Sequence, residues 1–112
     1  MNREKFQSCI DACLGCAAEC DGCATACLDE KDVAMLTRCV KLDRECAEAC
    51  YATARLMGMG GEYSSLFCHV CAEICEACAE ECEKHAEKGM DHCRRCAEAV
   101  GNVQKNAGLW RA

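Results

Sequence analysis

The 112-residue chain has no proline, and its five aromatic residues (two Phe, two Tyr and one Trp) make up 4% of the sequence. Because proline interrupts helices, its absence favours long unbroken ones, as do the plentiful Ala, Glu, Lys and Arg. Basic residues are in the minority, 13 against 19 acidic ones, so the net charge is −6. Binding to phosphates needs a basic surface, and we therefore expect no nucleic-acid partner.

Long apolar runs are also missing, and none approaches the roughly 18 residues of a membrane span. The amino terminus has a charged helical pattern without the apolar segment of a secretory signal. We therefore expect a cytoplasmic protein with reduced thiols and no membrane partner. Bulky apolar residues are scarce, since only 24 are Val, Ile, Leu, Met, Phe, Trp or Tyr. A small domain with so thin a core needs metal, disulfides or oligomerisation to support it.

Cysteine stands where the bulky residues are missing. In the first helical segment successive cysteines are four, three, four, three and four residues apart, and a similar alternation recurs in the third. Steps that average 3.5 residues keep every thiol on one side of an α-helix. We predict that all sixteen face the core: Cys9, Cys13, Cys16, Cys20, Cys23, Cys27, Cys39, Cys46, Cys50, Cys68, Cys71, Cys75, Cys78, Cys82, Cys93 and Cys96.

The periodicity predicts four helices, over about residues 2–28, 32–57, 64–88 and 91–107. Asp32 is a predicted N-cap for the second helix, and Gly58 and Gly89 are predicted to end the second and third. The short connections make neighbouring helices antiparallel. The predicted fold is all-α: an antiparallel up-down-up-down four-helix bundle with a Cys-lined core, formed by a single domain over 1–112.

A core of packed thiols has little bulk, which indicates an occupant rather than cysteines used as small apolar residues. A disulfide framework is a second interpretation, and the expected reducing compartment argues against it. An iron–sulfur electron-transfer protein is a third. Cluster-binding runs of cysteine are compact and carry a characteristic proline, whereas these thiols extend along whole helices.

Charge favours one metal among those that thiolates bind. Zinc in four-thiolate sites would leave about eight uncompensated negative charges among sixteen thiolates in the core, at a high desolvation cost. About one Cu(I) per thiolate leaves the filled core nearly neutral, and Cu(I) accepts two or three sulfurs. We therefore expect several Cu(I) ions per chain, with a generic zinc or heavy-metal buffer as the alternative.

Four stretches of the sequence carry a family resemblance. They are the run Cys9-x-x-x-Cys13-x-x-Cys16-x-x-x-Cys20-x-x-Cys23-x-x-x-Cys27, the segment Leu42-Asp43-Arg44-Glu45-Cys46, the segment Cys71-Ala72-Glu73-Ile74-Cys75-Glu76-Ala77-Cys78, and the start of the fourth helix, Asp91-His92-Cys93-x-x-Cys96. With these, the chain resembles the bacterial cytosolic copper storage proteins.

The resemblance implies a four-helix bundle, usually a homotetramer, that packs many Cu(I) ions along its axis. It also implies storage and sequestration of cytosolic copper rather than catalysis, so we expect no enzyme activity. A copper chaperone or a copper-requiring client is the expected protein partner. The chain departs from the family where Val100, Val103 and Ala107 replace continued cysteines, which predicts a lower capacity at one end.

Antiparallel threading makes the two ends of the bundle unequal. One gathers Cys27, Cys39, Cys82 and Cys93 with His85, Met90 and His92. The other gathers Phe6, Met57, Leu66, Phe67, Val103, Ala107 and Trp110 near Cys9 and Cys68. His85 lies three residues after Cys82 on the same stripe, so we predict that it is a further metal ligand, with His92 and Met90 as possible entry-end ligands. We predict that this histidine end admits copper and that the other end is a plug. The alternative is that His85 and His92 are ordinary solvated residues near a loop.

Asp43 occupies a core position between Cys39 and Cys46. A lone carboxylate there is costly unless it is hydrogen-bonded or near metal. We expect Asp43 to support the thiol ligands or to bind an ion occasionally. A salt bridge to a neighbouring arginine is the alternative. His69, beside Cys68 and off the thiol stripe, is expected to be structural.

Overall fold

The computed structural model describes residues 3–107, with side chains described for 6–106. Its four α-helices are α1 (Arg3–Leu28), α2 (Thr37–Gly58), α3 (Ser64–Ala86) and α4 (Asp91–Ala107), and a short 3₁₀ helix, Val33–Leu36, precedes α2. The described residues contain no β-strand. The all-α prediction is therefore confirmed, with helix ends within a few residues of those expected.

Two helices end at glycines whose backbone is left-handed. After α2, Gly60 has a φ of 65°, and the N–H groups of Gly60 and Gly61 donate to the carbonyls of Met57 and Leu56. After α3, Gly89 has a φ of 90° and is likewise the left-handed residue that follows the helix. This arrangement satisfies the last carbonyls of a helix and favours glycine. The prediction for Gly89 is confirmed, whereas after α2 the left-handed glycine is Gly60, and Gly58 is the last residue of the helix itself.

The start of α2 also differs from the prediction. Asp32 makes no side-chain cap, and its carbonyl accepts instead from the N–H of Met35 to begin the 3₁₀ helix. Thr37 donates its hydroxyl to the carbonyl of Ala34, 3.0 Å away. The 3₁₀ helix lets Leu36 enter the core with 1% of its surface exposed. Burial of this leucine explains why regular α-helix begins five residues later than expected.

Each helix packs against two others, because contacts join α1 with α2, α2 with α3, α3 with α4 and α4 with α1. The diagonal pairs do not pack on each other within the described residues. The result is a closed up-down-up-down bundle of 47 × 18 × 17 Å. In this part of the chain, no helix combines the length and apolarity required to cross a membrane.

The core runs along the bundle axis and contains all sixteen cysteines, each at most 1% exposed. This confirms the Cys-lined core. At one end, here called the apolar end, the core is closed by Phe6, Met57, Val100 and Val103, all buried. At the other, the histidine end, the thiols of Cys27 and Cys93 lie beside the ring of His92.

Two residues predicted to form the plug, Leu66 and Phe67, are not part of the buried core at the apolar end. Leu66 is 58% exposed and Phe67 is 38% exposed, because the buried stripe of α3 passes through Ser64 and Cys68 instead. Ser64 takes the inward position and donates its hydroxyl to the carbonyl of Gly61. Two further predicted members, the side chain of Ala107 and the whole of Trp110, lie outside the described residues.

Candidate metal centre

The thiols form overlapping groups stacked along the bundle axis. From the apolar end these are Cys13, Cys50 and Cys71; Cys16, Cys46, Cys50 and Cys75; Cys20, Asp43, Cys78 and Cys96; Cys23, Cys39, Asp43 and Cys82; and Cys23, Cys27, Cys39 and Cys93. Within each group the ligand atoms are at most 4.8 Å apart. Cys68 and Cys9 extend the column at the apolar end, where the Cys68 thiol lies 3.8 Å from the Met57 sulfur.

The spacing of the sulfurs suits metal ions that bridge neighbouring helices. Sγ–Sγ distances between helices are 3.3 Å for Cys46–Cys75, 3.5 Å for Cys20–Cys96, 3.6 Å for Cys50–Cys71, 3.7 Å for Cys23–Cys93 and 3.9 Å for Cys27–Cys39. With metal–sulfur bonds of about 2.3 Å, as for zinc, a trigonal site needs sulfurs roughly 4.0 Å apart and a tetrahedral site roughly 3.8 Å. The helices therefore hold the thiols near ligand spacing.

Asp43 lies fully buried in the middle of the column and is the carboxylate of two of the groups. Its Oδ1 accepts from the thiols of Cys78 at 3.2 Å, Cys96 at 3.3 Å and Cys82 at 3.5 Å. Burial, together with the nearby charges of Cys96 and Cys78, raises the pKa of Asp43 to about 11. The carboxyl is hydrogen-bonded by thiols rather than salt-bridged to an arginine, so it is placed to support or bind an ion.

Protons in the core are shared between neighbouring sulfurs. Hydrogen bonds from Cys20 and Cys46 lower the pKa of Cys16, since the neighbouring thiols donate to its thiolate. The hydrogen bond between Cys16 and Cys20 also raises the pKa of Cys20 well above its ordinary value. At the histidine end, burial and the charges of Cys39 and Cys93 raise the pKa of Cys27. Metal ions that bind here must displace protons.

His92 faces the last thiol group. Its Nδ1 lies 3.5 Å from the sulfur of Cys93, 3.6 Å from that of Cys23 and 3.9 Å from that of Cys27. On the other side of the ring, Nε2 lies 3.1 Å from Oε1 of Glu30. The side chain is 14% exposed, so His92 is not a solvated surface residue.

His85 is buried on α3 at 6% exposure, and its Nε2 lies 2.9 Å from Oε2 of Glu81, one turn earlier. Burial raises the pKa of Glu81, but hydrogen bonds from His85 and Lys84 and the charge of Lys84 outweigh it, so the net shift is downward. Arg38 completes this network at 3.5 Å from Glu81. His85 is absent from the metal-competent groups found among the described residues, and its ligand role stays a prediction.

The remaining histidine-end residue is Met90, which is partly buried and packs against the core. Its carbonyl accepts from the N–H groups of Cys93 and Arg94, at 3.1 and 3.2 Å, and so begins α4. His69, in contrast, lies exposed on α3.

Sequence patterns did not find Glu30 and Glu81 as partners of the two histidines. Glu81 lies four residues before His85 on one helix, and this spacing is a readable signal for a contact. Glu30 lies in the turn after α1, and 62 residues separate it from His92. Only the pairing of the α1 and α4 ends brings them together.

The fold and the stacked sulfurs define a class of protein: a four-helix bundle that binds soft metal ions on core thiolates. Within that class the chain belongs to the copper storage protein family, whose model matches residues 2–108. This confirms the resemblance carried by the cysteine runs.

Similar proteins agree with the family assignment. The cysteine-rich protein YhjQ of Bacillus subtilis (strain 168) is 42% identical over 93 residues, 83% of each chain. A cytosolic copper storage protein from Streptomyces lividans, solved with five coppers, is 39% identical, with a TM-score of 0.91 over 97% of this chain and 93% of its own. The Cu(I)-bound copper storage protein BsCsp3 is 37% identical, with a TM-score of 0.89 over 96% of this chain and 99% of its own.

Proposed function

We propose that this chain stores and sequesters many Cu(I) ions in the cytoplasm, holding them on its core thiolates. The observation that carries this function is the continuous column of sixteen buried thiols at ligand spacing. The role is binding and release, with no chemical transformation of a substrate. Sequestration would protect the cell from free copper, and release would supply a copper chaperone or a copper-requiring client.

The composition of the core supports Cu(I) over divalent ions. The buried polar side chains among the described residues are Asp43, Thr53, Ser64, Glu81 and His85, and none is a lysine or an arginine. Among the described residues, no buried lysine or arginine is therefore available to neutralise thiolate charge that the bound metal leaves uncompensated. One monovalent ion per thiolate balances the thiolate charge directly, whereas zinc in four-thiolate sites does not.

The S. lividans relative gives a scale for capacity, because it has been solved with 10 copper equivalents. Since this chain has sixteen core thiols, we expect it to hold about ten or more Cu(I) ions. It would hold them as clusters in which thiolates bridge ions, because the thiol groups overlap by sharing Cys23, Cys39, Asp43 and Cys50.

An anaerobic titration tests this function. Reduced protein would be titrated with Cu(I) in the presence of a competing chelator whose copper complex is coloured. We expect the chelator to stay colourless until about ten or more ions are bound per chain, without iron–sulfur absorption bands in the visible region. Saturation at zero to two ions would contradict storage, and four or five Zn(II) ions bound more tightly than Cu(I) would favour the zinc buffer.

We propose that copper enters and leaves at the histidine end. His92 faces three thiols there and Met90 lies partly buried beside them, whereas buried Phe6, Val100 and Val103 close the apolar end. Imidazole and thioether ligands can pass ions inward without trapping them.

Variants at the two histidines test the entry site. Replacing His85 and His92 by alanine, singly and together, should slow Cu(I) uptake and removal while leaving the final stoichiometry unchanged. The exposed His69→Ala variant is the matched control. Uptake and removal in the double variant at the rates of the H69A variant would contradict entry at this end.

We propose self-association of the chain, as a homotetramer by resemblance to the family. An apolar groove between α2 and α3 supports it, lined in part by Phe67, Val70 and Ile74, with Leu66 exposed nearby. Exposed apolar patches of this kind mark interaction surfaces. Light scattering should give four chains per particle for the wild type and fewer for Phe67→Glu/Val70→Glu. A monomer at all concentrations would contradict the assembly.

A further inference from the structure

The carboxylate of Glu30 approaches the column of thiols from outside the bundle core. Glu30 lies in the turn after α1, where its N–H donates to the carbonyl of Cys27 at 3.2 Å. This bond fixes the backbone of Glu30 beside the last thiol of α1. The Glu30 side chain is 39% exposed and reaches α4, where Oε1 meets Nε2 of His92.

The two nitrogens of His92 face different partners. Nε2 meets the carboxylate of Glu30, while Nδ1 faces the sulfurs of Cys23, Cys27 and Cys93 at 3.5–3.9 Å. A neutral imidazole carries one N–H and one lone pair, and an ionised carboxylate can only accept a hydrogen bond. With the Glu30 carboxylate as acceptor, the proton of a neutral His92 ring lies on Nε2 and the Nδ1 lone pair points at the thiol group.

A metal ion bound by these thiols would lie on the Nδ1 side of the ring. Carboxylate–histidine–metal chains of this kind hold the tautomer and the ring orientation of the histidine ligand. In the other tautomer, Nδ1 would carry a hydrogen and could not bind a cation.

His85 provides a contrast within the same molecule. Its carboxylate partner, Glu81, is also held by Arg38 and Lys84, so three positive or hydrogen-bonding groups share it. Of these two histidines, only His92 combines a carboxylate contact with the three thiol contacts described above.

We propose that Glu30 is a positioning residue for copper transfer: by accepting from Nε2–H of His92 it holds Nδ1 as the ligand at the histidine end of the column. The inference rests on the proposed storage function and adds a residue that acts through His92 without touching the ion. Glu30 governs how fast Cu(I) enters and leaves, whereas the core thiols govern how much is held.

The test combines kinetics with capacity in the full chain. Cu(I) transfer from a coloured chelator complex to reduced protein would be followed by stopped flow for wild type, E30A, H92A and E30A/H92A. We expect E30A to slow transfer about ten- to hundredfold, as for other partners of metal-bound histidines, with saturation unchanged. H92A should be at least as slow, and the double variant no slower than H92A.

Equal rates for E30A and wild type would overturn the proposal, as would E30A slowing transfer by the same factor whether or not His92 is present. D29N is the matched control, because it removes one negative charge from the neighbouring exposed position in the same turn. D29N should match wild type, and slowing equal to that of E30A would show a general charge effect instead.

A spectroscopic readout separates positioning from a structural role. Long-range ¹⁵N–¹H spectra of the histidine rings report the tautomer directly. We expect His92 to carry its proton on Nε2 in the wild type and to populate the Nδ1–H form in E30A. An Nδ1–H tautomer in the wild type would overturn the proposal, even if E30A loaded slowly. A wild type that saturates at two ions or fewer would instead defeat storage itself.

Discussion

At the scale of single residues, the copper column depends on groups that hold protons until metal arrives. Asp43 shows this most clearly, since three thiols donate to one of its oxygens and burial raises its pKa to about 11. An ordinary aspartate has a pKa near 3.8. The folded protein therefore keeps a proton at neutral pH that the unfolded chain gives up.

This proton makes the stability of the metal-free protein depend on pH. The stabilising contribution is complete below the unfolded pKa of 3.8 and is lost as pH rises from there toward about 11. An asparagine in place of Asp43 would be neutral in both states, so D43N should gain on the order of 1–4 kcal/mol at pH 7 and show a flatter profile. Urea unfolding of the reduced protein between pH 5 and 8 measures this.

The matched control is Asp32→Asn, at an exposed position whose side chain makes no cap. It should retain the slope of the wild type. If D43N and wild type lose stability equally between pH 5 and 8, then Asp43 is ionised in the folded protein and the account of its burial is wrong.

At the scale of helices, the spacing of cysteines was enough to predict the core. A step that averages 3.5 residues allows one inward face, and burial of all sixteen thiols follows from it. Four residues before Cys68, the same spacing reaches Ser64. It therefore excludes Leu66 and Phe67 from the buried face of α3, on which Ser64 and Cys68 lie.

Other details depend on tertiary contacts that periodicity does not contain. The 3₁₀ helix before α2 forms as Leu36 enters the core, and local sequence signals favoured Asp32 as a cap instead. The contact between Glu30 and His92 requires two helix ends to meet across 62 residues. Such pairings follow from how the bundle closes.

The fourth helix offers a test of the column as a repeating element. With Cys96 against Cys20 at 3.5 Å, the buried residues Val100 and Val103 lie one and two steps further toward the apolar end. Val100→Cys/Val103→Cys should therefore extend the column and raise Cu(I) capacity by about two ions per chain. The same chelator titration, or native mass spectrometry of loaded protein, would count them.

Val100→Ala/Val103→Ala is the control, because it reduces the bulk at both positions without adding sulfur. It should lose stability, by about 1–3 kcal/mol for the pair, and keep the capacity of the wild type. A cysteine variant with unchanged capacity would contradict an extension of the column through positions 100 and 103.

At the scale of the whole molecule, the bundle is a container 47 Å long whose wall is four helices and whose lining is sulfur. The chain has an acidic excess, with a formal net charge of −6, and one Cu(I) per thiolate would cancel the thiolate charges inside the core. Neutral contents would remove the main electrostatic cost of burying many ions, so a small bundle could hold a large amount of copper.

Copper bound by this chain should lie inside this container, on the bundle axis. Anomalous diffraction at the copper edge, from crystals of the fully loaded protein, tests it most directly. We predict a row of copper peaks from the Cys13–Cys50–Cys71 group to the Cys23–Cys27–Cys39–Cys93 group, each within bonding distance of at least two sulfurs. Copper confined to the outer surface, with the core thiols unligated, would contradict the account.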